Sequence, residues 1–344
     1  MQLTLSEFTS INNPDLPNHI SPGSDDKLKV HLSECEGLDG KDLTVVSKVG
    51  DGSIITRFDK TPIPKANTDV VCPHFLELKW ATGCSFSCSW CYLQGTLRFL
   101  DVKKAPRPKD FDRIQKNLRA FLDDANVKNE ILNAGELSDS LITETSTNPF
   151  SLFVMEEMKK RPDHKVLFVT KSCNIGNLLK IENKQQAIVS FSVNASPVAD
   201  RWEKGAPKVK ARLNAAKKLS KAGFEVRLRI DPMVPIDGWK EAYSALIDDI
   251  FERLTPERIT IGSLRGLQST INNSHDRSWT EYLDEKSNWG RKISLNKRLE
   301  MYQLIIKKLR EEHQYENVAL CKETVEMWEL LELDYTKIRC NCIS

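Results

Sequence analysis

Between residues 75 and 265, short β-rich runs alternate with helical stretches, and this alternation limits the fold more than any other feature of the chain. The runs are Leu76–Ala81, Glu130–Asn133, Val166–Thr170, Ile188–Val193, Val226–Ile230 and Ile259–Ile261. Helices are expected over about 108–124, 146–160, 174–182, 207–222 and 239–253. Six strands alternating with helices imply a parallel sheet with helical crossovers. Two strands say more. Val226, Leu228 and Ile230 share one face and Arg227, Arg229 and Asp231 the other, while Val189, Phe191 and Val193 oppose Ser190, Ser192 and Asn194. A flat parallel sheet covered on both sides needs apolar residues on both. A barrel with a polar ligand in its lumen needs them outside only. The alternation therefore reads as an α/β barrel with a polar lumen or as a sheet with one partly exposed face, over 71–265, flanked by an extension over 1–70 and a helical, cysteine-containing region over 266–344.

The flanks read differently. Asn13-Pro14, Pro17, Pro22-Gly23, Gly50-Asp51-Gly52 and Pro62/Pro64 break up the extension, leaving one hairpin-like piece around Val45–Phe58. Two further helices are expected near 296–312 and 322–332. With 50 basic against 48 acidic residues, the net charge of +2 argues against a chain that holds nucleic acid mainly by charge. One basic segment stands out: Lys204, Lys208, Lys210, Arg212, Lys217, Lys218 and Lys221. It reads as a solvated helix face or as a phosphate contact. The opening MQLTLSEFTS has no secretory pattern, and no apolar run reaches the ~18 residues of a membrane span. Nine cysteines in such a chain read as cytoplasmic thiols.

Three of them carry the chemistry. Thr82-Gly83-Cys84-Ser85-Phe86-Ser87-Cys88-Ser89-Trp90-Cys91-Tyr92 follows the first strand and sets Cys84, Cys88 and Cys91 at x3 and x2 spacing. Three thiolates on a short loop hold soft metal, either an iron–sulfur cluster or zinc. Zinc needs a fourth ligand, for which His74 is nearest, and would make this a non-catalytic structural module. A three-cysteine [4Fe–4S] cluster leaves one iron open. The loop sits at the C-terminal edge of the strands, where barrel folds place their chemistry.

Cys84-x3-Cys88-x2-Cys91, with an aromatic before the last cysteine, resembles the radical S-adenosylmethionine (SAM) superfamily. More narrowly, Thr82-Gly83-Cys84, Cys91-Tyr92-Leu93-Gln94, Gly135-Glu136-x-Ser138-Asp139, Thr170-Lys171 and Ala222-Gly223-Phe224 resemble the spore photoproduct lyase-like group. The resemblance implies a partial (β/α)6 TIM-type barrel, a [4Fe–4S] cluster on Cys84, Cys88 and Cys91, and SAM chelated to the open iron. It implies that Gly135, Glu136 and Ser138 form the second-strand SAM motif, and that Lys171, Ser192 and Asn194 contact the SAM carboxylate and ribose. Arg229 is expected to bind an anionic group inside the barrel, and Tyr92 to touch or tune the cluster. A low-potential electron donor such as flavodoxin or ferredoxin, a nucleobase or small-molecule substrate and no membrane complete the implied partners.

Glu136 also marks a departure. The lyase carries a hydrogen-donating cysteine at that position, so this chain is expected to run different chemistry or to use another thiol. Cys321, Cys340 and Cys342 offer thiols, expected to gather at the barrel's upper rim. They read as an inert terminus, a second metal site, a radical quencher or a trap for a thiophilic substrate. The last has a parallel in the radical SAM enzyme of arsinothricin biosynthesis, which moves the 3-amino-3-carboxypropyl group of SAM to arsenic. Cys35, Cys72 and Cys173 read as buried small hydrophobes.

Overall fold

Ten strands hydrogen-bond in chain order, the first four antiparallel and the remainder parallel, in a computed structural model that describes residues 28–100, 105–287 and 290–344. They are β1 (Val30–Glu36), β2 (Asp42–Val49), β3 (Ile55–Phe58), β4 (Phe75–Leu78), β5 (Ile131–Asn133), β6 (Lys165–Thr170), β7 (Ala187–Ser192), β8 (Glu225–Met233), β9 (Ile259–Ser263) and β10 (Val318–Leu320). The six expected strands are β4 to β9. β10 adds a seventh parallel strand beside β9, with Ile259 opposite Val318 and Ile261 opposite Leu320. The hairpin-like piece is β2 and β3. Preceded by β1, it widens the sheet through β3, whose Ile55–Phe58 pairs with Leu78–Phe75. The opening MQLTLSEFTS and the proline-rich stretch up to Gly23 lie outside the described residues.

The alternation in β7 and β8 has the predicted consequence. Val189, Phe191, Val226, Leu228 and Ile230 join one large core under the helices, whereas Ser190, Ser192, Arg227, Arg229 and Asp231 face the concave side. Ile131, Leu167 and Ile188 form a separate small apolar cluster, the sole greasy patch in register with those polar positions among the described residues. The sheet is thus an open, partial barrel with a polar interior.

Helices cover the outer face. α1 (Phe111–Asp123) starts where Asp110 accepts a hydrogen bond from the Arg113 N–H at 2.8 Å, and it buries Ile114, Leu118, Phe121 and Leu122 at helical spacing. α2 (Phe150–Met158) brings Phe150 flat against Trp80, ring centres 3.9 Å apart. The helix expected over 174–182 shrinks to a single 3-10 turn, Leu178–Lys180, behind Gly176-Asn177. An unforeseen helix, α3 (Ser196–Trp202), begins with Pro197 in its first turn, where a missing N–H costs nothing. α4 (Val209–Lys221), α5 (Trp239–Phe251), α6 (Leu295–His313) and α7 (Val325–Leu330) follow close to expectation. Among the described residues no helix is long and apolar enough to cross a membrane.

Candidate active site

The cysteine loop leaves β4 at the C-terminal edge of the sheet and is tied down on three sides. Its Ser87–Cys88 segment pairs with Glu203–Lys204, and Ser89 donates its N–H to the Trp202 carbonyl at 2.8 Å. Trp90 packs on Trp202 with ring centres 5.7 Å apart. Gln94 reaches back and donates to the carbonyls of Cys88 and Ser89, each at 2.8 Å, while His275 lies 2.9 Å from its oxygen. Tyr92 donates its hydroxyl to the Glu136 carbonyl, joining the loop to the segment after β5. Burial, then Glu136 and Cys91, hold that phenol protonated.

Behind the loop lies a buried charge relay. Lys171 sits 3.6 Å from Glu203, which also binds Arg212 at 2.5 Å with both side chains 1 % exposed. Burial presses against the Lys171 charge, but Glu203, Cys88 and Cys91 outweigh it and hold the ammonium above the ordinary lysine range. A cation beside two thiolates suits a loop meant to carry a negatively charged cluster. Asp139 fixes the Lys171 backbone, accepting its N–H at 2.7 Å, the Thr170 hydroxyl at 2.8 Å and the Leu141 N–H at 3.0 Å.

The donor set fits an iron–sulfur cluster better than a single ion. His74, the proposed fourth zinc ligand, is instead bound through Nε2 to the Thr61 carbonyl at 2.9 Å. Among the described residues only Asp248, Glu312 and His313 bring three ligand atoms within 4.8 Å of one another, so the loop sulfurs are spread wider than one ion requires.

The other expected positions divide. Glu136 stands half-buried with Oε1 3.0 Å from Asn133 Nδ2. Gly135 allows close approach: a Cβ there would lie 2.4 Å from that of Val169. Ser192 lines the interior opposite Arg229. Ser138 is turned inward on the Asp139 carbonyl at 3.3 Å. Asn194 is wholly buried and fully engaged, donating to the Pro232 carbonyl and accepting from Tyr243 and the Ala195 N–H, so it braces the strand ends instead of facing a ligand. In the basic segment, Arg212 is internal and not a surface contact.

The tail departs from expectation. Segment 339–344 closes the opposite edge of the barrel, at the strand starts, because Arg227 and Arg258 offer donors there. Arg227 binds the Asn341 and Ile343 carbonyls at 2.9 and 2.6 Å, and Arg258 binds that of Cys340 at 3.1 Å. Asn341 plugs the interior through Ser190, Leu228 and Thr260. From this floor Cys342 points up to Arg229, whose Nη2 donates to its sulfur at 3.0 Å. Cys340 keeps its proton and donates it to Cys342, and this bond, with Arg229 alongside, holds the Cys342 thiol below its ordinary range against the opposing effect of burial. Cys321, directly after β10, meets Arg265 at 3.4 Å, and burial and Asp231 push it up to about 12. Gly262 makes room for this meeting, since a Cβ there would lie 2.6 Å from Asp231 Oδ1 and 3.1 Å from Cys321 Cβ. Cys72, read from sequence as a lone hydrophobe, belongs to the same neighbourhood: burial pushes it up to about 11, with Lys322 opposing and Cys342 adding. Arg229 Nε is buried without a partner among these groups.

A partial parallel barrel bearing this cysteine loop at its C-terminal edge is the arrangement of the radical SAM class. Within it, the family model described as spore photoproduct lyase matches residues 74–264, more than half of the chain, and the chain belongs to that family. It is 27% identical over 231 residues to the spore photoproduct lyase of Bacillus subtilis (strain 168), covering 62% of this chain and 65% of that one. With the enzyme of Geobacillus sp. (strain Y412MC61) it shares 29% over 182 residues, 51% of this chain and 50% of the relative. The matches span less than two-thirds of these relatives' length. Spore photoproduct lyase complexed with dinucleoside spore photoproduct has the same fold, with a TM-score of 0.60 at 19% identity over 71% of this chain and 75% of that one. A variant with bound AdoMet and the same dinucleoside gives 0.57 at 18%, over 72% and 75%.

Proposed function

We propose that this chain is a radical SAM enzyme, with Cys84, Cys88 and Cys91 holding a [4Fe–4S] cluster and the barrel interior holding SAM and substrate. The observation that carries this reading is the cysteine loop, tethered by Glu203–Lys204, Trp202 and Gln94 at the C-terminal edge of the parallel strands. When bound, cluster and SAM supply a carbon radical by reductive cleavage of a C–S bond. The chain's own residues position and shield. Glu136 receives the SAM amino group, Gly135 lets that segment press onto β6, and Lys171 and Ser192 face the SAM carboxylate and ribose. The tail floor excludes water from below. By its family the substrate is of the nucleobase-lesion type.

A second reading has its own support. Cys342 and Cys321 flank Arg229 inside the barrel, with Cys340 hydrogen-bonded to Cys342, an arrangement that suits a thiophilic substrate and transfer of the SAM 3-amino-3-carboxypropyl group to thiolate-bound arsenic. The fragments of SAM separate the two. Anaerobic reaction with dithionite should release 5′-deoxyadenosine under the first reading and methylthioadenosine under the second, as read by mass spectrometry. Intact SAM in a protein with full iron content would refute both.

Glu136→Ala should weaken SAM binding by ~2–3 kcal/mol, the size of a hydrogen bond to a charged group, and leave iron content unchanged. Equal SAM affinity in the two proteins, measured by calorimetry, would remove Glu136 from the site.

A further inference from the structure

The basic segment noted in the sequence finds no use inside the barrel. From Lys204 to Phe224 the chain has no acidic residue. Arg212 turns inward to Glu203, and the lysines remain outside: Lys204, Lys208, Lys210, Lys218 and Lys221 are exposed and Lys217 half-exposed. Among the described residues, Lys208 alone of these pairs with a carboxylate, Asp200 at 2.7 Å.

The start of this segment lies directly behind the cysteine loop. Lys204 is paired with Ser87, and Glu203 with Cys88, so the basic rim begins one residue from a cluster ligand. Ser85 and Ser87, at the outer edge of the loop, are exposed beside it, and a Cβ at Gly205 would lie 3.7 Å from the Phe86 Cα in the loop backbone. Packed aromatics fill the space between surface and loop. Trp90 contacts Trp202 at 5.7 Å, Trp202 contacts Tyr282 at 5.9 Å, and Arg201 covers Trp202 at 4.3 Å. The substrate side, around Arg229 and Cys321, is on the concave face of the sheet, whereas Lys210, Lys217, Lys218 and Lys221 are on the outer helix α4 and Lys204 and Lys208 lie just before it. Positive charge is therefore placed where an electron must arrive, and away from where a substrate must sit.

We propose that this face docks an acidic, low-potential one-electron carrier protein, with Lys204 and the exposed edge Ser85–Ser87 as its point of closest approach. The inference rests on the radical SAM reading. One electron leaves the carrier's reduced centre, which is left one electron more oxidised, and enters the group held by Cys84, Cys88 and Cys91. The aromatic rings serve as densely packed medium and change oxidation state at no point. Charge complementarity of this kind acts mainly on the association rate and weakens with salt.

The test compares the reconstituted wild-type chain with Lys204→Glu/Lys208→Glu/Lys210→Glu, mixing each with photoreduced flavodoxin and following cluster bleaching by stopped-flow absorbance. The triple variant should be reduced about tenfold more slowly by flavodoxin at low salt, with the gap closing as salt rises. Its reduction by dithionite should match wild type. Lys210→Glu/Lys218→Glu, which touches only exposed helix positions, serves if the triple variant folds poorly, and should show the same selective loss. An unchanged flavodoxin rate overturns the proposal, as does a parallel loss with dithionite, which would mean a damaged site. Loss of single-stranded oligonucleotide binding with the flavodoxin rate retained would make the face a nucleic-acid surface and overturn it too. If dithionite itself fails to drive SAM cleavage in wild type, the functional reading falls and takes the docking proposal with it.

Discussion

Alanine at Cys84, Cys88 or Cys91 should leave a folded, colourless protein whose iron falls from about four per chain to near zero, with SAM cleavage lost. The loop has three cysteines, and His74, the nearest histidine in sequence, is committed to the Thr61 carbonyl. Folding should survive, because the loop is held by contacts that do not involve these sulfurs, namely Trp90 on Trp202, Ser89 N–H on the Trp202 carbonyl and Gln94 on the loop carbonyls. Iron analysis beside a circular-dichroism melt checks both halves of the expectation. Full iron content in the three variants would refute the ligand assignment.

Glu203→Ala should be the most destabilising single change near the site, costing ~3–5 kcal/mol, because it strands the buried Arg212 guanidinium and removes the carboxylate facing Lys171. Arg212 would keep its bonds to the Pro207 and Ser192 carbonyls at 2.8 and 3.0 Å, which lessen the loss but do not neutralise the charge. Replacing both partners, Glu203→Leu with Arg212→Met, should restore most of the stability, since an apolar pair avoids the desolvation that the ions bear. Urea unfolding of the metal-free chain measures this. A loss under about 1 kcal/mol for Glu203→Ala would mean that the pair behaves like a surface bridge.

The central strands and the cysteine loop were legible because each leaves a local trace: period-two alternation in β7 and β8, and fixed spacing in the loop. Other elements leave little. Val30–Glu36 reads VHLSECE, polar and mostly exposed, and is a strand by virtue of its partner Asp42–Val49. Val318–Leu320 is three residues long, and its place is set by the neighbouring Ile259–Ile261. The buried arginines are harder to read. Arg212 looks like surface charge in sequence, yet it anchors Glu203, and Arg227, inward by its strand alternation, spends its donors on tail carbonyls more than a hundred residues downstream. The same long-range pairing sets the tail's position at the strand starts, and no local pattern encodes it. Asn194 has an inward place on a polar strand, but Tyr243 and Pro232, both distant in sequence, consume its amide. Ser196-Pro197, by contrast, is a local helix-start signal.

Gln94 has a consequence for how such a protein matures. Its amide bridges the Cys88 and Ser89 carbonyls on one side and His275 on the other, stitching the cysteine loop to a segment nearly two hundred residues away. The ordering entropy of the loop is therefore spent when the polypeptide folds and not when iron arrives. Uptake becomes an exchange of ligands on a prepared rim, so a cluster built elsewhere can be handed over whole. Its arrival rate then follows the concentration of the delivering scaffold, with no folding step left to wait for.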